Sequence, residues 1–301
     1  MSGSILVKDN RLWLFFIATF VFSWIFWLSD VSLQGMAGLE TTVQSISGLL
    51  VLGGVMGPTL VALLLTYHYE GPAGAKQLLK RGVKIFKPAW WLIVLFLYPL
   101  LIVGALVITA YLFATPEIIT NMPQGVFGLA SFPIVLLAGG PLLEEYGWRG
   151  FALDRLQLRW DGLVSSLIVG VIWAIWHLPL FFITGTTQNI LLQNFSLASI
   201  LFFFMVVGLS ITMTWVYNNT ERSILGAILL HAIWNTFIAG FFIGVITNFA
   251  TDLTTLSPSV TYLFELGNAI LVVLLFMTCI AIIFRSRLSL DKTKKDEKTL
   301  I

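Results

Sequence analysis

The chain has 301 residues, 58% of them hydrophobic and 14% aromatic, with 11% charged where a soluble domain carries about 25%. A mean hydropathy of +0.93 cannot be hidden inside a soluble fold of this size, so a soluble enzyme, a nucleic-acid binder and a disordered chain are excluded. The single cysteine, Cys279, excludes an intramolecular disulfide, and the formal net charge of +2 says less than where the charges fall.

Because about 20 mostly apolar residues cross the hydrocarbon core as a helix, the sequence predicts an all-α, polytopic membrane helix bundle of about eight transmembrane helices. In chain order they run about 12–28, 46–67, 89–113, 130–148, 163–183, 197–217, 223–247 and 262–284. No small-residue cleavage site follows the first, which reads as a retained helix and not a signal peptide. Gly53 and Gly57 in the second have the spacing of close helix packing. His68, between Tyr67 and Tyr69, fits an interfacial aromatic belt. Residues 71–87 then alternate bases with apolar residues and read either as a short amphipathic helix on the headgroups or as a solvated basic loop.

The basic residues fall in five groups: Lys8 and Arg11; Lys76, Lys80, Arg81, Lys84 and Lys87; Arg149, Arg155 and Arg159; Arg222; and Arg285, Arg287, Lys292, Lys294, Lys295 and Lys298. Together these are all 17 Lys and Arg, and eight spans put every group on one side. The intervening loops hold Asp30, Glu40, Glu117 and Asp252. The positive-inside rule makes both termini cytoplasmic. Residues 1–284 read as one transmembrane domain of a multi-pass protein of the cell membrane, and 285–301 as a basic, disordered cytoplasmic tail.

Charged side chains inside a bilayer cost about 2.5–3.5 kcal/mol each at its centre, so those present need a reason. At the cytoplasmic end of the fourth predicted span, PLLEEYGWRGF (residues 141–151), Glu145 and Arg149 are spaced for an ion pair. Glu144 points about 100° away, free to work elsewhere. In the fifth span His177 lies among Trp173, Trp176 and Phe181, with Pro179 loosening the helix beyond it. In the seventh, His231 and Asn235 are one turn apart, spaced to donate hydrogen bonds in one direction, as an oxyanion requires. Taken singly, an interfacial salt bridge, a packing histidine and an interhelical hydrogen bond account for most of this; together they place polar groups on three helices.

In this order the three motifs resemble the CAAX protease and bacteriocin-processing (CPBP, or Abi) family of intramembrane peptidases, whose pattern is EExxxR, then FxxxH, then HxxxN. The likeness spans about residues 130–240, with Trp173 standing where Phe is usual. It implies an endopeptidase that hydrolyses a peptide bond by glutamate-activated water: Glu144 as general base, His177 as its partner, His231 and Asn235 as oxyanion hole, and Glu145, Arg149 and Trp173 as orienting residues. No cofactor is favoured; zinc, if bound, would take Glu144, His177 and His231, although the HExxH signature of zinc peptidases is missing. The implied partners are the bilayer and a peptide or protein substrate, lipidated or a bacteriocin precursor. A bacteriocin-immunity or binding protein of the same family is the alternative, and a proton-coupled transporter ranks below it because no inverted repeat is present.

Overall fold

The computed structural model describes residues 10–36, 40–242 and 258–285. Among the described residues there are helices and turns and no strand. The elements are α1 (Arg11–Gln34), α2 (Glu40–Val55), α3 (Gly57–Lys80), α4 (Pro88–Leu112), α5 (Glu117–Gly128), α6 (Phe132–Ala138), α7 (Pro141–Gly147), α8 (Asp154–Leu156), α9 (Gly162–Trp176), α10 (Thr187–Asn194), α11 (Ser196–Asn219), α12 (Ile224–Thr236) and α13 (Pro258–Arg285).

Five helical stretches are long and apolar enough to cross a bilayer, or up to seven if the bent pairs α2–α3 and α5–α6 each count as one span. The seventh predicted segment is represented by a shorter apolar helix, Ile224–Ala239; its end at 243–247 lies outside the described residues, as do Lys8 and tail residues 286–301. The outward faces are apolar, with Ile17, Val21, Ile25 and Leu28 of α1 exposed one turn after another, as a lipid-facing helix requires.

Three predicted spans are not simple rods. The second bends by 42° at Met56, where Pro58 removes a backbone donor from the next turn. Residues 72–80 continue it as helix beyond a kink at Gly71, so the basic segment is helical up to Lys80. The fourth is broken at Gly139–Gly140 and overruns its predicted end at 148, continuing through a π turn, Trp148–Leu153, into α8. Its glutamates therefore lie deep: Glu144 is about 20 Å from Gln157 at 1.5 Å per residue, not at the end of the span. The fifth stops being α-helical at Trp176 and passes into a 3₁₀ turn, Leu178–Phe182, because Pro179 cannot extend the α ladder.

Close packing fixes these pieces. A Cβ on Gly53 would lie 2.7 Å from Phe26 Cδ1, and one on Gly57 would strike Ser23, so the GxxxG face lets α2 and α3 press against α1. Trp24 Nε1 donates to Trp176 O at 3.0 Å, and Trp27 and Trp148 both pack on Trp176. α1 thereby pins the end of α9.

The two ends of the bundle differ in charge. At one, Asp154 binds Arg81 at 2.9 Å, Arg222 and the Tyr217 hydroxyl, while Arg155 pairs with Glu70 at 2.8 Å and Arg11 lies over Tyr69. At the other, Gln34 donates to Asp30 at 3.0 Å and accepts from Thr184 N at 2.9 Å, and Ser47 donates to Asp30 at 2.6 Å.

Candidate active site

The motif residues of the membrane interior come from α7 with its π turn (Glu144, Glu145, Arg149), the residue that ends α9 (His177) and α12 (His231, Asn235). α7 starts where it does because Gly140 takes φ 108°, a conformation only glycine adopts without strain. Pro141 opens the helix at a position that needs no donor. A Cβ on residue 140 would also collide with Glu144 Oε1, so the same glycine admits the carboxylate.

The adjacent glutamates have different surroundings. Glu145 is fully buried, with Arg149 Nη1 at 2.9 Å from each carboxylate oxygen and His231 Nδ1 at 2.8 Å from Oε1. Arg149 is fully buried too; its guanidinium carbon lies 4.5 Å from the centre of the Trp173 ring. Its Nε and Nη2 have no hydrogen-bond acceptor, and the aromatic face takes that place. Glu144 instead accepts through Oε2 from two indoles, Trp173 Nε1 at 2.7 Å and Trp148 Nε1 at 3.3 Å.

The histidine tautomers follow from their partners. His177 Nδ1 lies 2.8 Å from Trp173 O; a carbonyl only accepts, so Nδ1 carries the proton and Nε2 the lone pair. His231 Nδ1 likewise donates to Glu145, and its Nε2 accepts from Asn235 Nδ2 at 3.2 Å. The Asn235 amide also donates to Gly139 O at 3.3 Å. Sequence spacing puts His231 and Asn235 on one face, but in this structure they bond to each other instead of pointing jointly outward.

Glu144, Trp173, His177, His231 and Asn235 line a cavity of about 860 Å³. Glu145 and Arg149 lie behind it. Sequence reasoning did not find Trp148, whose signal was its position one turn after Glu144, nor the Glu145–His231 bond, which joins helices 86 residues apart. Trp173 reads in the sequence as an aromatic stand-in for Phe; its N–H is a specific contact that Phe cannot make. Among the described residues no three His, Cys, Asp or Glu side chains are grouped so as to hold a metal ion. That includes Glu144, His177 and His231.

The site thus offers a carboxylate oxygen and an imidazole lone pair facing one space, with amide and imidazole groups beside them. The family model described as type II CAAX prenyl endopeptidase Rce1-like matches residues 126–237, the stretch from α5 to the end of α12. Over 230 residues the chain is 27% identical to CAAX prenyl protease 2 of Methanococcus maripaludis, covering 74% of this chain and 82% of the relative. The profile match contains every motif residue and the second similarity reaches well beyond them; both support the CAAX protease and bacteriocin-processing family, and with it a CAAX-type endopeptidase, for a chain whose apolar helices make it a multi-pass membrane protein.

Proposed function

We propose that Glu144 is the general base of a water-mediated peptide hydrolysis, with no nucleophilic side chain and no covalent intermediate. One observation carries this reading: Glu144, His177, His231 and Asn235, from three separate helices, line one cavity deep in the bundle.

The roles follow from the hydrogen bonds. With Oε2 held by two indoles, Oε1 of Glu144 is the oxygen left to accept from water. His177 Nε2 is a second acceptor. A water donating one proton to each directs its oxygen lone pairs at a substrate carbonyl. Glu144 takes the proton as the C–O bond forms, and delivers it to the leaving nitrogen as the C–N bond breaks. The carbonyl oxygen, now negative, is met by Asn235 and His231. Asn235 must leave Gly139 and His231 to do so, and His231 offers a proton from Nε2 only when both ring nitrogens are protonated, with Glu145 as counter-ion at Nδ1.

The test is cleavage of a quenched fluorescent peptide panel by purified protein in detergent. Wild-type turnover abolished in Glu144→Ala and His177→Ala, both still folded, supports the assignment. Full turnover by Glu144→Ala removes it.

A further inference from the structure

The last helix, α13, lies outside residues 126–237 of the profile match, yet it brings a polar side chain to the cavity. Most of its polar groups have evident work. Glu265 accepts from two of the first N–H groups of α11, Leu197 at 2.9 Å and Ala198 at 2.5 Å, which the helix itself cannot satisfy. Thr278 donates to Leu274 O at 2.9 Å within its own helix, and Cys279 Sγ meets Gly208 O at 3.5 Å. The Glu265 and Cys279 contacts make α13 run parallel to α11. Asn268 follows three residues after Glu265, about 4.5 Å further along the axis.

Asn268 is 5% exposed and lines the same cavity as Glu144, His177 and Asn235. Its Nδ2 donates to Phe264 O at 2.9 Å, one turn back in α13. A main-chain carbonyl only accepts, so this bond fixes which way the amide points and leaves Oδ1 as its free end. Among the described residues nothing donates to Oδ1. A buried asparagine in a membrane helix commonly bonds across to a neighbouring helix, but Asn268 bonds only its own, so helix association does not account for it. The wall beside it is apolar, with Ala198, Phe202 and Met205. The Phe202 ring lies 5.3 Å from that of His177, so this wall continues to the proposed catalytic groups. A polypeptide lying along it has to bury main-chain N–H groups, and each one left without an acceptor is costly. A neutral amide oxygen suits a neutral N–H, whereas an ammonium or guanidinium calls for a carboxylate.

We infer that Asn268 is a specificity-determining residue: its Oδ1 accepts a main-chain N–H of the substrate at a subsite apart from the scissile bond. That subsite takes a residue with a free amide hydrogen and disfavours proline. The inference rests on the peptidase reading above for the word substrate; the binding of a polypeptide through Asn268 does not need turnover.

An ester scan tests this. The fluorescent peptide bound most tightly by folded Glu144→Ala protein in detergent is remade as a series of depsipeptides, each with one amide N–H replaced by an ester oxygen. Kd is read by fluorescence anisotropy in Glu144→Ala protein with Asn268 intact, with Asn268→Leu, which keeps the volume without the acceptor, and with Asn268→Ala. With Asn268 intact, one ester position is expected to weaken binding roughly three- to tenfold, the worth of one neutral hydrogen bond. The same ester is expected to cost less than twofold in both variants, while every other position costs the same in all three proteins. Comparing proteins at each position cancels the weaker ester carbonyl. Ester costs that do not depend on Asn268 at any position, a uniform loss of affinity in the variants, or a panel in which no peptide binds overturns the inference. Because affinity is read without Glu144, failure of the peptidase reading appears in the cleavage assay alone.

Discussion

Trp173 Nε1 donates to Glu144 Oε2 at 2.7 Å across 29 residues of sequence, and through its main chain the same residue accepts from His177 Nδ1 at 2.8 Å. One tryptophan therefore sets both the carboxylate and the imidazole proposed to hold the water. Its ring also lies 5.1 Å, edge-on, from His231 and takes the Arg149 guanidinium at 4.5 Å. Every proposed reacting group but Asn235 is thereby referred to Trp173.

Replacing it by Phe keeps the aromatic surface and the main-chain bond to His177 but deletes the N–H. Hydrogen bonds to a charged group are worth about 1.5–3 kcal/mol, so Trp173→Phe is expected to lower kcat roughly 10- to 100-fold with little change in KM or thermal stability. Trp148→Phe, which removes the longer 3.3 Å bond, is expected to do less. Steady-state kinetics beside thermal unfolding in detergent reads both; a Trp173→Phe enzyme within twofold of wild type shows that the indole N–H does not matter.

Gly140 is the second point at which backbone and chemistry meet. Alanine there would have to take φ 108°, at a cost on the order of 1–3 kcal/mol, and its methyl would displace Glu144 Oε1. Gly140→Ala is expected to fold with a lower melting temperature and to lose at least 100-fold in kcat. An equivalent change at Gly71, where φ is 70° but a Cβ meets nothing, should cost stability without touching turnover. Equal activity losses in the two variants would show that backbone strain, not the carboxylate, is responsible.

How much of this was legible beforehand depends on whether the signal was local. The apolar spans, the Glu145–Arg149 pair and the Gly53–Gly57 packing face are set by spacing within one helix, and such periodicity survives in sequence. The break at Gly139–Gly140 was missed because the hydrophobic run continues through it, although the Gly-Gly-Pro sequence is its cause. The depth of Glu144 was misjudged because apolar residues give way to Arg149 and Arg155 while the helix carries on, the first buried against Glu145 and the second paired to Glu70. The Glu145–His231 and Glu144–Trp173 bonds join different helices, and no spacing within one segment encodes which face meets which.

Buried ions at two depths should respond differently to substitution. Asp154 stands between Arg81 and Arg222 at the basic end, away from the cavity, whereas Glu145 serves Arg149 and His231 within the site. Removing one partner of a buried pair leaves the other uncompensated, at about 3–5 kcal/mol. Asp154→Asn is therefore expected to lower thermal stability strongly while the folded fraction keeps wild-type kcat. Arg149→Ala is expected to lose both, because Glu145 then holds His231 without its own counter-ion. Normalising kcat to the folded fraction, read as monodisperse protein by size-exclusion chromatography in detergent, separates the outcomes; normal specific activity in Arg149→Ala means that the ion pair is structural alone.

Metal dependence can be decided on the same preparation. The three groups able to ligate zinc are differently engaged: Glu144 Oε2 by two indoles, His177 Nδ1 by a carbonyl, and His231 by Glu145 at one nitrogen and Asn235 at the other. For His231 to bind a metal through Nε2, Asn235 would have to leave it, and the ring could then no longer donate a proton to an oxyanion. Asn235→Ala is thus a diagnostic as well as a loss. If Asn235 works as an oxyanion donor, the variant should lose roughly 100- to 1,000-fold in kcat, the cost of one such donor. Wild-type activity should withstand prolonged treatment with a strong chelator, and purified protein should contain far less than one zinc per chain. Chelator-sensitive turnover restored by zinc, with about one zinc per chain that His231→Ala abolishes, would replace the oxyanion role of His231 with metal ligation.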